Sequence, residues 1–230
     1  MIAWLQHTFP NVISLGLWGQ NGWLSSLLQT LYMTFWSGVL GGLLGLIFGV
    51  GIVVTAKDGI TPNKLVFWIF DKIVSLFRAF PFIILLAIIS PVTYALLHTI
   101  IGATAALVPL TLGVFGFYSR QVQAVLETVD KGKIEAAQTV GADFLDIVFT
   151  IYLREELSAL IRVSTVTLIS LIGFTAMAGA IGAGGLGNTA IQAYNFFEND
   201  VTFVASAIVL VLVLSVQILG DWIAKKVSHK

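Results

Sequence analysis

Apolar runs of about 20 residues recur along most of the chain, and short polar stretches separate them. A helix of that length rises far enough, at about 1.5 Å per residue, to cross about 30 Å of hydrocarbon. The runs lack the alternation of barrel strands, and a segment in lipid must satisfy its own backbone hydrogen bonds. The pattern predicts an all-α polytopic membrane protein, with a single transmembrane domain over residues 1–230 and about five spans at 24–56, 79–97, 103–118, 159–181 and 201–223.

The polar segments between these runs differ in kind. Residues 57–64 contain a glycine and a proline, which predicts a turn outside the bilayer. Residues 65–77 keep apolar side chains at helical spacing with charges on the other side, so a helix along the membrane surface is expected. Residues 188–200 are expected to be loop. The longest polar interruption, residues 131–157 (KGKIEAAQTVGADFLDIVFTIYLREEL), must be recognised by something outside the membrane.

Glycines recur every fourth residue within the first span, at Gly41, Gly45 and Gly49. Such a row makes a smooth ridge on which another helix packs at close range. We favour general helix packing within the chain, and a seam between two copies is the alternative.

Composition agrees with a membrane protein and narrows its partners. Of the 230 residues, 57% are hydrophobic and 10% are charged, against about 25% charged in soluble domains. The formal net charge is zero, so no nucleic-acid partner is expected. The chain has no cysteine, which excludes disulfides and thiolate metal sites. Residues 1–22 predict an interfacial segment with Trp4, Trp18 and Trp23 at headgroup depth, rather than a cleaved signal peptide.

The basic residues give the orientation, because short cytoplasmic loops carry the excess of Lys and Arg. When residues 131–157 are placed inside, all 12 Lys and Arg residues fall on the cytoplasmic side of the five-span model. Residues 1–22, the hairpin near His98 and residues 182–200 carry none and fall outside. The N-terminus is predicted outside and the C-terminus in the cytoplasm.

Motifs for catalysis inside the membrane are lacking in the sequence. No HExxH, Ser/His pair or pair of intramembrane aspartates occurs, and no GxxxxGK[ST] is present to bind ATP phosphates. The spans also carry no ionisable residue at mid-depth, where ion-coupled carriers usually place one. These absences argue against an ion-coupled carrier or channel, which we keep as the alternative function from a different class of transport protein.

Local signals predict two short helices within residues 131–157. Good helix formers precede Gly141, which can supply a left-handed turn that ends the first helix. Asp143 can then cap the second helix, with Asp146 favourable in its first turn. In the second helix the apolar residues share one face, at Phe144, Ile147, Val148 and Ile151.

The same stretch resembles the EAA loop of ABC importer permeases. Glu135, Ala136, Ala137, Gly141, Ile151 and Leu153 follow the spacing E-A-A, three residues, G, nine residues, I-x-L-P, except that Arg154 stands where the family usually has proline. Residues 78–82, 108–111 and 173–187 are similar to the methionine-type subfamily in particular.

This resemblance implies a type I ABC importer permease in the bacterial cytoplasmic membrane, surrounded by membrane lipid. It implies a homodimer with two nucleotide-binding ATPase subunits, which hold ATP and Mg, and an extracytoplasmic substrate-binding protein, often a lipoprotein. No cofactor is expected in this chain. The implied cargo is D- or L-methionine or a close analogue, with another small solute as the alternative. The ATPase would be met by Glu135, Ala136, Ala137, Gly141, Asp143, Ile151 and Leu153.

The fourth span is the candidate translocation helix because it carries the most hydroxyl side chains. Ser164, Thr167, Leu171 and Thr175 form one stripe, with Ser170 and Met177 beside it. The alternative is that the hydroxyls bond to carbonyls of their own helix and serve only packing. A candidate outer gate follows, at Gly179, Gly182, Gly184, Gly185 and Gly187.

The predicted orientation is tested by cysteine accessibility, since the chain has no native cysteine. We expect Asn195→Cys to react with a membrane-impermeant maleimide added to intact cells, and Lys225→Cys to react only after the cells are opened. Labelling of residue 195 from the cytoplasm alone would refute the model.

Overall fold

The computed structural model describes residues 10–19 and 21–228, and within these ranges it contains helices and no strand. The all-α prediction is therefore confirmed. The helices are α1 (Pro10–Ser14), α2 (Trp23–Thr55), α3 (Lys64–Ala79), α4 (Phe82–Leu97), α5 (Ala103–Leu126), α6 (Lys131–Thr139), α7 (Phe144–Asp146), α8 (Leu153–Glu155), α9 (Leu157–Gly179), α10 (Gly185–Asn195) and α11 (Asn199–Ser228), with a π-helical segment, Ile147–Tyr152, between α7 and α8.

Three helices in the described ranges, α2, α9 and α11, are each long and apolar enough to cross a membrane. A fourth crossing is reached if α3 and α4, interrupted at Phe80 and Pro81, count as one broken span. The fifth predicted span, 103–118, lies in α5, which is 24 residues long but is not among the helices apolar enough to count as a crossing, so this span stays a prediction. It also continues to Leu126, well beyond its predicted end.

The chain divides into two compact units. The first lies within residues 1–39, 81–111 and 168–216, and the second within residues 40–80, 112–167 and 217–230. Helices α2, α5, α9 and α11 contribute residues to both.

In the first unit, the expectation that residues 188–200 form a loop was wrong, because most of them belong to helix α10. Side chains of α2 cap its start: Gln29 accepts a hydrogen bond from the amide of Gly185 at 2.7 Å, and Thr30 accepts one from Leu186 at 2.9 Å. The Ser26 and Thr189 hydroxyls lie 2.8 Å apart and are buried. Glycines favour chain breaks when only the local sequence is considered. Here, however, side chains 156 positions earlier in the chain accept hydrogen bonds from the free amides at the helix start.

Helix α1 is attached to the same unit by polar contacts. The backbone amide and side-chain amide of Asn11 both donate to the carboxylate of Asp200, at 3.0 and 3.1 Å. The indole of Trp23 donates to the carbonyl of Val12 at 2.9 Å. Trp18 is exposed, as expected of a side chain at headgroup depth, and Trp4 lies outside the described residues.

The second unit has an aromatic core where α2, α3 and α5 meet. Ile52, Val74 and Phe115 are buried at its centre. The apolar face of α3 packs on this centre through Phe67, Phe70, Ile73 and Phe77, which agrees with its predicted amphipathic pattern. Phe48 of α2 packs on the same centre.

An ion pair joins α3 to α5 beside this core. It lies in the part of α5 that continues beyond the apolar residues 103–118. Arg120 donates to the carboxylate of Asp71 and, at 2.6 Å, to the hydroxyl of Ser75. It also donates to the side chain of Gln123 at 2.6 Å. Beyond its predicted end at residue 118, α5 thus continues as a helix whose polar turn at Arg120 contacts α3.

The glycine ridge of α2 packs within the chain, as favoured from the sequence. A Cβ on Gly49 would lie 2.6 Å from Val122 and 2.8 Å from the carbonyl oxygen of Ser119, and one on Gly45 would lie 2.8 Å from Tyr118. Gly41 is buried as well. At Gly45 and Gly49 the ridge is therefore occupied by α5 and is not free to form a seam with a second copy.

Gly49→Ala tests this close approach. Because the added methyl group meets backbone as well as the Val122 side chain, we expect a loss of about 1–3 kcal/mol in the free energy of unfolding. The measurement is thermal or denaturant unfolding of the purified protein in detergent. Gly42→Ala is the matched control, since a Cβ there meets nothing within 4 Å. Equal stability of the two variants would contradict the packing described.

Candidate functional site

Helix α6 carries the first half of the predicted EAA loop. Its amide at Gly132 donates to the side chain of Asp130 at 2.8 Å, which caps the helix. Ile134 is buried and fixes the helix to the second unit, whereas Glu135 and Ala136 are exposed. The helix therefore presents its Glu-Ala face outward.

The turn after α6 has the geometry that its sequence indicates. Gly141 has a φ of +83°, in the left-handed region, and the amide of Ala142 donates back to the carbonyl of Ala137 at 3.0 Å. Asp143 accepts a hydrogen bond from the amide of Asp146 at 2.8 Å, and the Asp146 carboxylate accepts one from the amide of Asp143. This reciprocal capping box ends one short helix and begins the next.

The π-helical segment that follows was not expected. Ile147 and Val148 are buried, but Phe144 is 42% exposed and Phe149 is 63% exposed. Ile151 is half-buried. Of the predicted apolar face, Ile147 and Val148 are thus buried, while Phe144 is exposed ahead of the π segment. Phe149, which the predicted face did not include, adds a second exposed ring, and a π turn spaces residues more widely than the 3.6 periodicity assumes.

Leu153 and Arg154 lie in α8, directly after the π segment. Leu153 is half-buried, and Arg154, at the position usually occupied by proline in the EAA motif, is exposed. The chain continues through this position in helical conformation, with the amide of Leu153 bonded to the carbonyl of Val148.

Two ion pairs hold the loop in place. Lys131 contacts Asp58 at 3.2 Å, and Lys133 contacts Glu155 at 2.6 Å. The hydrogen bond from Lys133 to Glu155 raises the pKa of Lys133 above its ordinary value. Among the residues that the structure describes, Glu135 has no side-chain hydrogen bond or ion pair, so its exposed carboxylate is available to another molecule.

In the second unit, the candidate translocation helix α9 uses its hydroxyls for contacts within the chain. Thr167 is buried, donates to the carbonyl of Val163 at 2.7 Å and accepts from the side chain of Gln121 at 3.0 Å. Ser164 donates to the carbonyl of Leu160, and its oxygen lies 2.7 Å from the hydroxyl of Tyr118.

In the first unit, the predicted stripe divides in the same way. Leu171 and Thr175 are buried, and Thr175 donates to the carbonyl of Ile172. Ser170 is half-buried and Met177 is 47% exposed. Met177 lies on the exposed face of α9, which also carries Arg162, Val166 and Gly173. Most residues of the predicted hydroxyl stripe are therefore packed against other parts of the chain.

The glycines of the candidate gate form a fixed corner between α9 and α10. Gly182, Gly184 and Gly185 have φ values of +84°, +81° and +82°, a region that side chains disfavour. A Cβ on Gly179 would overlap the backbone of Asn188, and one on Gly187 would overlap Ala176. These last two glycines let the two helices approach backbone to backbone.

Comparison with known proteins identifies the family. Residues 41–229 match the model of the binding-protein-dependent transport system inner membrane component. The chain belongs to this family of ABC importer permeases. Its fold is that of a type I permease: it matches the crystal structure titled "Inward facing conformations of the MetNI methionine ABC transporter" with a TM-score of 0.86 at 39% identity, over 89% of this chain and 95% of that chain.

Curated relatives of this permease are named for methionine. It is 41% identical over 223 residues to the methionine import system permease protein MetP of Bacillus subtilis, covering 96% of this chain and 98% of the relative. It is 38% identical over 209 residues to the probable D-methionine transport system permease protein MetI of Vibrio cholerae, covering 90% of this chain and 92% of the relative.

The sequence did not predict that the link between α2 and α3 contacts the EAA loop of the permease. Asp58 pairs with Lys131, and Ile60 and Thr61 border a cavity whose other side is formed by the loop. The only signal in the sequence was a turn of mixed polarity, which says nothing about a neighbour more than 70 positions away.

Proposed function

We propose that the chain is the membrane-spanning subunit of an ATP-driven importer for methionine. The supporting observation is its similarity to the MetNI methionine ABC transporter, which extends over nearly the whole of both chains at 39% identity. Relatives named for D-methionine and for methionine favour the same cargo class without separating the stereoisomers.

The EAA loop is the proposed contact with the ATPase subunit. Its short helices are capped by Asp130 and Asp143, and Lys131 pairs with Asp58 of the α2–α3 link, so the loop presents an ordered surface outside the apolar spans. That surface offers the Glu135 carboxylate, the small Ala136 side chain and the exposed ring of Phe144. A small amphipathic helix of this kind suits insertion into a groove of a partner protein.

ATP and Mg belong to the ATPase subunits in this proposal, because the chain has no phosphate-binding GxxxxGK[ST] loop. ATP binding would bring two such subunits together, and the two EAA loops of a permease homodimer would move with them. The free energy of ATPase closure then shifts the spans between inward-facing and outward-facing states. The permease residues transmit this shift and carry out no chemistry.

Helix α9 is the proposed border of the translocation path. The exposure of Met177 supports a position beside the path, and Ser164 and Ser170, which are half-buried, are proposed to border it next to their contacts within the chain. Thr167, Leu171 and Thr175 would keep the helix in position from its packed side. The glycine corner from Gly179 to Gly187 remains the proposed outer gate.

The substrate-binding protein is proposed to dock at the extracytoplasmic side, where the predicted orientation places α1 and α10. No Lys or Arg occurs in residues 182–200, which agrees with an external position in the bacterial cytoplasmic membrane.

The cargo is tested by uptake into proteoliposomes that contain the permease with the ATPase subunit of its own host and, outside, the matching binding protein. We expect radiolabelled methionine to accumulate only with ATP on the ATPase side, and unlabelled methionine to compete better than leucine or glutamine. Uptake that needs an ion gradient and no ATP would contradict the proposal and favour a secondary carrier.

The coupling role is tested by Glu135→Lys and by Gly141→Leu. The first reverses an exposed charge, and the second puts a branched side chain at a φ of +83°. We expect ATP-dependent uptake to fall at least about tenfold, as when a contact worth about 1.4 kcal/mol or more is lost.

The controls are Glu135→Gln, which keeps the shape of the side chain, and Gly141→Asn, which tolerates the left-handed region. Glu135→Gln should retain more uptake than Glu135→Lys, and Gly141→Asn more than Gly141→Leu. Membrane insertion, measured by detergent extraction, should be equal for all four variants. Normal transport by both Glu135→Lys and Gly141→Leu would rule out the coupling role.

A further inference from the structure

A cavity of about 370 Å³ lies in the second unit, between the α2–α3 link and the EAA loop. Ile60 and Thr61 of the link form one side. The other side is formed by four residues of the loop, which are Gln138, Ala142, Phe144 and Ile147. The cavity is a groove that opens outward, because Thr61, Gln138 and Phe144 are exposed.

The link side of the groove is held by backbone hydrogen bonds. The amide of Thr61 donates to the carbonyl of Val54 at 2.9 Å, and the amide of Asn63 donates to Thr55 at 3.0 Å. The side chain of Asn63 then caps α3 by accepting from Leu65 and Val66. Ile60 and Thr61 are thereby fixed between the end of one helix and the start of the next.

The loop side is equally fixed. The left-handed turn at Gly141 and the capping box at Asp143 set the position of Ala142 and Phe144. Ile147 is only 3% exposed and forms the apolar floor. The ion pair between Asp58 and Lys131 joins the two sides at 3.2 Å. A groove that is already formed requires little ordering of its own side chains when a partner binds.

The lining decides what the groove can hold. It contains no charged side chain, so it offers no counter-ion to a phosphate or a carboxylate. Its floor is apolar, and its rim carries the hydroxyl of Thr61 and the amide of Gln138. This combination fits one apolar side chain that projects from a polypeptide, with backbone groups left to bond with the rim.

We infer that the groove receives an apolar side chain of the partner ATPase subunit. This rests on the proposed function, and the groove is continuous with the coupling surface because four of its six lining residues belong to that loop. The docking surface therefore includes the α2–α3 link, and the ATPase contacts two segments of the permease that are fixed to each other.

The inference is tested on the purified complex of the permease and the ATPase subunit of its own host. We expect Thr61→Trp and Ala142→Leu, which fill the groove, to weaken assembly at least about tenfold, measured as the ATPase concentration that saturates binding to permease in lipid nanodiscs. Thr61→Ser and Thr128→Trp are the controls; Thr128 is exposed and does not line the groove. Both should assemble as the unaltered permease does.

A photo-crosslinking residue in place of Gln138 gives a second measurement. We expect an adduct with an ATPase peptide that contains a large apolar side chain, identified by mass spectrometry, and none from the same residue in place of Lys226. An adduct with lipid alone would overturn the inference.

Comparison with Glu135→Lys separates this inference from the proposed function. If Glu135→Lys impairs assembly but both groove-filling variants assemble normally, the groove is not a docking site while the coupling role stands. If none of these variants affects assembly, the coupling role fails as well. Equal size-exclusion profiles of the permease variants exclude misfolding as the cause of weaker assembly.

Discussion

The close packing of α2 on α5 is the contact on which the second unit depends. It is possible because Gly45 and Gly49 carry no side chain where Tyr118 and Val122 lie. In a membrane the hydrophobic effect does not drive helices together, so their association rests on such close contacts and on hydrogen bonds between them. The aromatic core around Phe115 and the ion pair between Asp71 and Arg120 then attach α3 to the same pair of helices.

This arrangement gives the EAA loop a rigid base. Helix α5 ends at Leu126, and Asp130 begins α6 only a few residues later. The end of α2 leads directly into the link that pairs with Lys131 through Asp58. Both helices of the glycine contact therefore lead to the two sides of the proposed docking groove. In the proposed coupling, a displacement of the groove would pass to the parts of α2 and α5 that lie in the second unit.

The corner between α9 and α10 is stabilised by a different kind of contact. Helix α10 begins with glycines in the left-handed region, and its first amides need acceptors away from water. Gln29 and Thr30 of α2 supply these acceptors. The polar residues near the start of α2 thus serve as hydrogen-bond acceptors for the first amides of α10.

Features that depend on neighbouring residues could be predicted well. The turn at Gly141, the capping role of Asp143 and the amphipathic face of α3 each follow from residues within one or two helical turns. The EAA spacing was sufficient to identify the family for the same reason. The hydroxyl stripe on α9 was less informative, because a Ser or Thr in an apolar helix can serve a pore or bond within the chain, and Thr167 bonds to both Val163 and Gln121.

By itself, the sequence determined that the chain is helical and membrane-embedded, predicted its orientation, and located the loop that would meet an ATPase. The length of an apolar run, the positions of the charges and the capping residues are all properties of neighbouring residues, so they can be recognised in the sequence without coordinates. Only the tertiary structure decided that residues 185–195 form a helix, that a π-helical segment follows Asp146, and that Ile60 and Thr61 border the EAA loop. Each of these features depends either on contacts between residues far apart in the sequence or on a wider helical turn. Neither can be predicted from the periodicity of apolar residues.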